Sequence, residues 1–243
     1  RAADGADVTI TSTYDPNSGN WCAQNFLTIS GAGITIEGVN LKGNPNGYYG
    51  GLCNKVIELV DNAKNFTLKD VELLPLIYEE DKTVCSGSIY FSNSDADNTT
   101  LKNVTMYSWI SARNVNDGII TMDGVTLDYT NNTYAGYEGY GLGVSGDQVV
   151  ADDLTYRVDN DILLVDQIFD DELKDGITVV LESGEYQVDE GIYIYADDIT
   201  IEGEGAVTIR PSNDFHTNAE GQTNLMKLLA DGITLKNLPL DKP

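Results

Sequence analysis

Apolar and polar residues alternate along the chain in short bursts, and one burst recurs. It runs apolar, Thr or a similar residue, apolar, two polar residues, apolar, polar, apolar. It reads ITIEGVNL at 34–41, FTLKDVEL at 66–73, TTLKNVTM at 99–106 and ITMDGVTL at 120–127. A weaker VVADDLTY occupies 149–156, and ITIEGEGA and ITLKNLPL start at 199 and 233. Alternation of period two predicts strands. The polar pair that interrupts each burst predicts a tight bend, as at Glu37-Gly38, Lys102-Asn103, Asp123-Gly124, Glu202-Gly203 and Lys236-Asn237. Gly and Asn suit such a bend because they accept positive φ at little cost. Successive starts differ by 32, 33, 21, 29, 50 and 34 residues. One unit cannot bury its apolar side alone, so spacings of this size predict units stacked on one another.

The widest gap holds a different period. DNDILLVDQIFDDELKDG at 159–176 places Ile162, Val165, Ile168, Phe169 and Leu173 at helical spacing. Asn160 or Asp161 would serve as N-cap and Gly176 as the residue after the last turn. The pattern predicts one short amphipathic helix near 161–175 that caps the strand edges of the unit beginning ITVVLESGEY at 177.

The chain also restarts itself. Residues 8–41 align without a gap on 207–240, each residue 199 positions from its partner, and nine of the 34 pairs are identical. Val8-Thr9-Ile10 matches Val207-Thr208-Ile209, and Ile34-Thr35 matches Ile233-Thr234. The predicted organisation is a first module over 1–157, a helix or cap linker over 158–176, and the opening units of a second module over 177–243. Such a chain is expected to be a window of a tandem array or a subunit that joins end to end. The assembly ends would be Val8 and Ile10 on one side and Ile233 and Leu235 on the other.

These ITIEG-V-L units, together with a helix leading into ITVVLESGEY and ITIEGEG, resemble the parallel β-helix of the pectate-lyase-like superfamily, in its tandem surface or adhesin form. The resemblance covers most of the chain. It implies an all-β, right-handed parallel β-helix, in agreement with the general hand of parallel connections. It is nearly silent on activity, because fold alone does not carry function.

Charge narrows the partners. The chain has 39 acidic residues against 14 Lys and Arg, a net −25. Phosphate-rich nucleic acid and anionic membrane surfaces are poor partners for such a chain, and no apolar run is long enough for membrane insertion. Excess carboxylate raises solubility through self-repulsion and makes Ca²⁺ the one candidate cofactor, though none is required. A single histidine, His216, and no CxxC pair exclude a zinc site of the usual kind. Sequons stand at Asn65, Asn98, Asn103 and Asn131. Cys22, Cys53 and Cys85 lie 12, 13 and 14 residues before the starts at 34, 66 and 99. They are therefore expected on successive coils, either as a ladder of small buried residues or with one disulfide between neighbours.

Aromatic residues gather after the repeat units: Tyr48, Tyr49, Tyr78, Tyr107, Trp109, Tyr129, Tyr134, Tyr137 and Tyr140. Stacking would align them along one side, where they either contact a glycan or pack loops against the body. Superfamily members that cleave pectate use Ca²⁺ on clustered acids and an Arg or Lys base. The nearest counterparts here are Glu79, Glu80 and Asp81, with Lys82, Arg113 and Arg157 as bases. Members that hydrolyse galacturonans use paired Asp, a His and an Arg-x-Lys stretch; no Arg-x-Lys occurs, and His216 is remote from the aromatic run. The expectation is an extracellular or cell-surface structural or adhesive β-helix module that partners itself, adjacent modules or glycans. A Ca-dependent lyase and a simple glycan-binding module are the alternatives, and the balance leans away from an enzyme.

Overall fold

The computed structural model describes residues 8–11, 25–42, 55–60, 62–74, 76–78, 82–84, 88–92, 95–107, 109–130, 143–160, 164–169, 173–216 and 224–239. Nearly all of its regular secondary structure is strand. A ten-stranded sheet runs through Thr9–Thr11, Asn40–Lys42, Thr67–Leu73, Thr99–Met106, Ile120–Asp128, Val149–Val158, Ile177–Val188, Thr200–Pro211 and Thr234–Lys236, with Thr35–Glu37 also paired to Thr67–Leu73. Every pairing in it is parallel. A second, five-stranded parallel sheet runs through Asn25–Ile29, Lys55–Leu59, Ser88–Phe91, Ile110–Ser111 and Val144–Ser145. Ile192–Ile194 pairs in parallel with Met226–Leu228, and Leu76–Tyr78 forms an antiparallel hairpin with Lys82–Val84. The chain thus visits one sheet and then another in turn, each visit adding a strand beside the last.

The recurring burst explains these strands residue by residue. In Thr99–Met106, residues 99, 101, 104 and 106 are buried and 100, 102, 103 and 105 are not. The two consecutive outward residues, Lys102 and Asn103, reset the alternation, and Asn103 does so at φ 50°. Asp70 (φ 52°), Gly38 (φ 66°), Gly124 (φ 69°) and Asn237 (φ 53°) hold the same conformation in their own units. A left-handed residue at the bend keeps apolar side chains inward on both sides of it, where a continuous pleat would turn half of them outward. A second set of left-handed residues precedes the strands: Gly33, Asn65, Asn98, Asp198 and Gly232.

In-register stacking places like on like. Leu68, Leu101 and Met122 align on one inward column, and Leu41, Leu73, Met106, Leu127, Tyr156, Val179 and Ile201 on another. From the second sheet come Ile57, Ile89, Ile110 and Val144. All belong to one hydrophobic cluster. Each fully buried side chain of this size stabilises the fold by about 1.5–3 kcal/mol.

One expectation changes. The helix near 161–175 is absent: among its described residues only Leu164–Ile168 is helical, as a single π turn closed by Phe169 N–H donating to Leu164 O at 2.8 Å. Leu164, Ile168 and Phe169 are all buried. Tertiary burial of three residues at i, i+4 and i+5 outweighs the weak local preference for an α-helix and widens the turn. Gly176 keeps a positive φ of 77° but leads into strand Ile177–Val188, its N–H bonded to Asp197 O.

The sheet also contains a lateral step. The latter half of Val149–Val158, from Leu154 onward, pairs with the first residues of Ile177–Val188. Everywhere earlier the units pair first half to first half. The sheet therefore shifts by half a unit between Val149–Val158 and Ile177–Val188. Arg157 spans the step, its guanidinium bonded to Glu182 at 3.1 Å and Glu204 at 2.6 Å. Tyr186 also spans it, donating to Val158 O at 3.0 Å.

Candidate functional site

The outward side of the ten-stranded sheet carries ordered polar columns. Thr105, Thr126, Thr155, Thr178, Thr200 and Thr234 occupy one register position on successive strands, about 4.8 Å apart. Thr35, Thr67, Thr100 and Thr121 form a shorter column. Beside them, charges pair between neighbouring strands: Lys69 with Glu37 at 2.8 Å, Lys102 with Asp123, and Lys236 with Glu202 at 3.6 Å. Exposed pairs of this kind contribute little each, but they leave the column electrically balanced within a strongly acidic chain.

The electrostatics of this face follow from its pairings. The hydrogen bond from Asn103 holds the Asp70 carboxyl below the usual carboxylate range, and Lys64 does the same for Asp95. Glu37 raises Lys69, chiefly through their hydrogen bond, and Asp95 raises Lys64. Burial raises the hydroxyls of Tyr107 and Tyr186. Each of these shifts deepens the ordinary charge state at neutral pH, whereas a general acid or base is tuned towards neutrality. Among the described residues no group of three His, Cys, Asp or Glu could hold a metal ion.

The nine aromatic candidates divide. Tyr48, Tyr49, Tyr134, Tyr137 and Tyr140 lie outside the described residues, as do Glu79, Glu80, Asp81 and all three cysteines. Tyr78 ends the first strand of the hairpin. Tyr107 is half-buried, with its hydroxyl donating to Glu72 at 2.5 Å. Trp109 is 9% exposed and meets Tyr90 edge to face at 6.3 Å. Tyr129 is fully buried, and its hydroxyl accepts from Gly143 N–H at 2.7 Å. Its neighbour Tyr156 accepts from Val144 N–H at 3.2 Å. Tyr129 and Trp109 therefore pack the body and do not offer faces to a sugar. Of the candidate bases, Lys82 opens the second strand of the hairpin, Arg113 is exposed and Arg157 is ion-paired across the step. His216 is exposed, its backbone N–H bonded to Asp189 O.

The remaining feature is the pair of terminal edges. Thr9–Thr11 and Asn25–Ile29 end their sheets on one side; Thr234–Lys236 and Met226–Leu228 end theirs on the other. All three residues of Thr9–Thr11 and of Thr234–Lys236 are exposed. Nine large apolar residues are exposed among the described residues, and six of them lie here: Val8, Ile10 and Ile34 on one side, Leu228, Leu229 and Leu235 on the other. Ile233, the fourth residue expected at these ends, is half-buried. Sequence pattern alone points to Val8, Ile10, Ile233 and Leu235. It misses Ile34, Leu228 and Leu229, whose exposure follows from their place at the edges of the stack.

The two edges are built alike. Thr35–Glu37 and Thr234–Lys236 are the same strand 199 positions apart, and Met226–Leu228 corresponds to residues 27–29 within Asn25–Ile29. Gly33 and Gly232 share φ values of 71° and 72°.

No protein family, curated protein or solved structure matches the chain.

Proposed function

We propose that this chain is a right-handed parallel β-solenoid acting as a structural or adhesive module outside the cell. Its work is physical: stacked units extend a stiff body, and its ends meet adjacent modules or further copies. The observation that carries this reading is the repeat at the two terminal edges, which share one local structure and hold most of the exposed large apolar residues. Exposed strand edges of this kind are templates for further pairing unless covered. The paired charges on the outer face and the shifts that deepen ordinary charge states support scaffold over catalyst. A net −25 keeps such a body soluble and discourages side-by-side association, which favours growth along the stack.

Two measurements test it together. Light scattering with negative-stain imaging over a concentration series is expected to find elongated particles that lengthen end on end. Incubation with acidic and neutral polysaccharides, with and without Ca²⁺, is expected to yield no unsaturated or shortened product. Turnover of any of them would overturn the structural reading in favour of a lyase or hydrolase.

A further inference from the structure

We propose that two copies of this chain join head to tail with residue n of one copy seated on residue n + 199 of the other, so that the repeat stacks upon itself. The proposal rests on the reading above and specifies its joint. The chain displays each side of the repeat already covered. Residues 35–37 are covered by 67–69, and 27–29 by 57–59, on one side. The equivalent residues 234–236 and 226–228 are covered on the opposite side by 200–202 and 192–194. What is open on one copy of the repeat is thus paired on the other, and a second chain presents the missing side to each.

Side chains agree at the following levels of this joint. On the outer face Thr35 falls on Thr234 and prolongs the threonine column. Glu37 falls on Lys236. Lys236 already pairs with Glu202 beneath it and Glu37 with Lys69 above it. Across the joint the column reads Glu202, Lys236, Glu37, Lys69, with signs alternating throughout. On the inner face Ile36 falls on Leu235 and Ile34 on Ile233. Leu27 falls on Met226 and Ile29 on Leu228, covering apolar surface that is exposed in the single chain. At the bend Gly38 falls on Asn237, both left-handed. The chain uses this arrangement internally, where Gly124 lies over Asn103 so closely that a Cβ would come within 2.8 Å of its Oδ1.

The edges are also stepped in complementary ways. On the first side Thr9–Thr11 extends one strand beyond Asn40–Lys42. On the other, strand structure among the described residues ends at Lys236, and Pro239 has no N–H to continue a ladder. Thr9–Thr11 of the arriving copy continues the half of the sheet that the receiving strand does not. Contact between two different surfaces of the same molecule is heterologous, and because each copy here adds its strands along the stacking direction the joint propagates as a filament.

The test is a cysteine pair, Thr35→Cys with Thr234→Cys, in the full chain with its native cysteines retained. Both residues are exposed on the outer face, and neighbouring parallel strands bring Cα atoms within disulfide range. Within one chain they lie on opposite terminal edges and cannot meet. Mild oxidation at high protein concentration is expected to give a ladder of covalent multimers in the double variant, with peptide mapping assigning the links to positions 35 and 234. Adding Lys236→Glu, which sets a carboxylate against Glu37 and Glu202, should lower that yield several-fold at low salt and less at high salt. Absence of a link between positions 35 and 234, or links only between like sites, overturns the joint. Multimers mapped to other contacts overturn the joint and leave the scaffold reading intact. Polysaccharide turnover sinks the scaffold reading whatever the cross-links show.

Discussion

The side-chain amide of Asn103 donates to Asp70 Oδ1 at 2.7 Å, and both residues stand at φ near +50° on adjacent strands. The bond joins two bends of the stack, and the conformation is one that β-carbon-bearing residues avoid unless their side chain helps. Asn103→Ala is expected to cost about 1–2 kcal/mol from the backbone alone, while Asn103→Gly keeps the conformation and costs less. Chemical denaturation of the two variants in parallel would read the order, and equal losses would show that the hydrogen bond, not the backbone, carries the effect.

Gly118 is tighter still. It holds φ +84°, and a Cβ there would come within 2.4 Å of Asp97 N and 2.7 Å of Ala96 C, both backbone atoms that cannot swing away. Gly118→Ala should therefore destabilise by about 2 kcal/mol or more. Gly38→Ala has a similar φ with nothing within 4 Å, so it should lose only the conformational part. Thermal melts of both variants check the ranking.

Tyr129 offers a test of burial against surface binding. Its hydroxyl accepts the Gly143 N–H in a buried setting, so Tyr129→Phe leaves that donor without its partner, at a cost of about 1–3 kcal/mol. The expected result is a lower unfolding midpoint. An unchanged midpoint would mean that Gly143 finds another acceptor.

Acid should loosen the bends. Asp70 and Asp95 have folded-state affinities for protons below the ordinary value of 3.8, by virtue of Asn103 and Lys64 respectively. A carboxyl depressed on folding stabilises the fold above its unfolded pKa, and that contribution is lost as pH falls through the depressed folded value. The loss therefore belongs below pH 3.8. Above that range, partial protonation of a chain at −25 relieves self-repulsion. Unfolding midpoints across pH should rise on mild acidification and then fall, and Asp70→Asn should shrink the final fall.

Much of the fold is legible in the sequence because its signals are local. Alternation marks the strands from Thr67 to Asp128, and the polar pair marks the bends, since Gly38, Asn103, Gly124 and Asn237 are residues that tolerate the conformation they adopt. Glu202-Gly203 is an instructive exception: Gly203 is not left-handed there, and Gly205 carries the positive φ of 93° two residues later. What the sequence hides is set between strands. The helical spacing of 159–176 is real, yet the demand to bury Leu164, Ile168 and Phe169 together widens one turn. The lateral step depends on which half of a strand Ile177 meets, and no local pattern records that. Tyr129 reads as a surface aromatic until its acceptor role to a residue 14 positions away is seen. The sequons at Asn98 and Asn103 likewise look like glycan acceptors, whereas both side-chain amides are donors to the strand below, to Asn65 and Asp70.

The step between Leu154–Val158 and Ile177–Leu181 has a mechanical consequence. Five residue pairs join the strands across it, against ten between Ile177–Val188 and Thr200–Pro211. A force drawn along the stack passes through both, and the narrower plane bears the greater load per bond. Arg157 and Tyr186, which bridge the step with their side chains, sit where rupture would begin. Under tension along the stack, this plane would yield before the one between Ile177–Val188 and Thr200–Pro211, leaving the strands on that side still paired with each other.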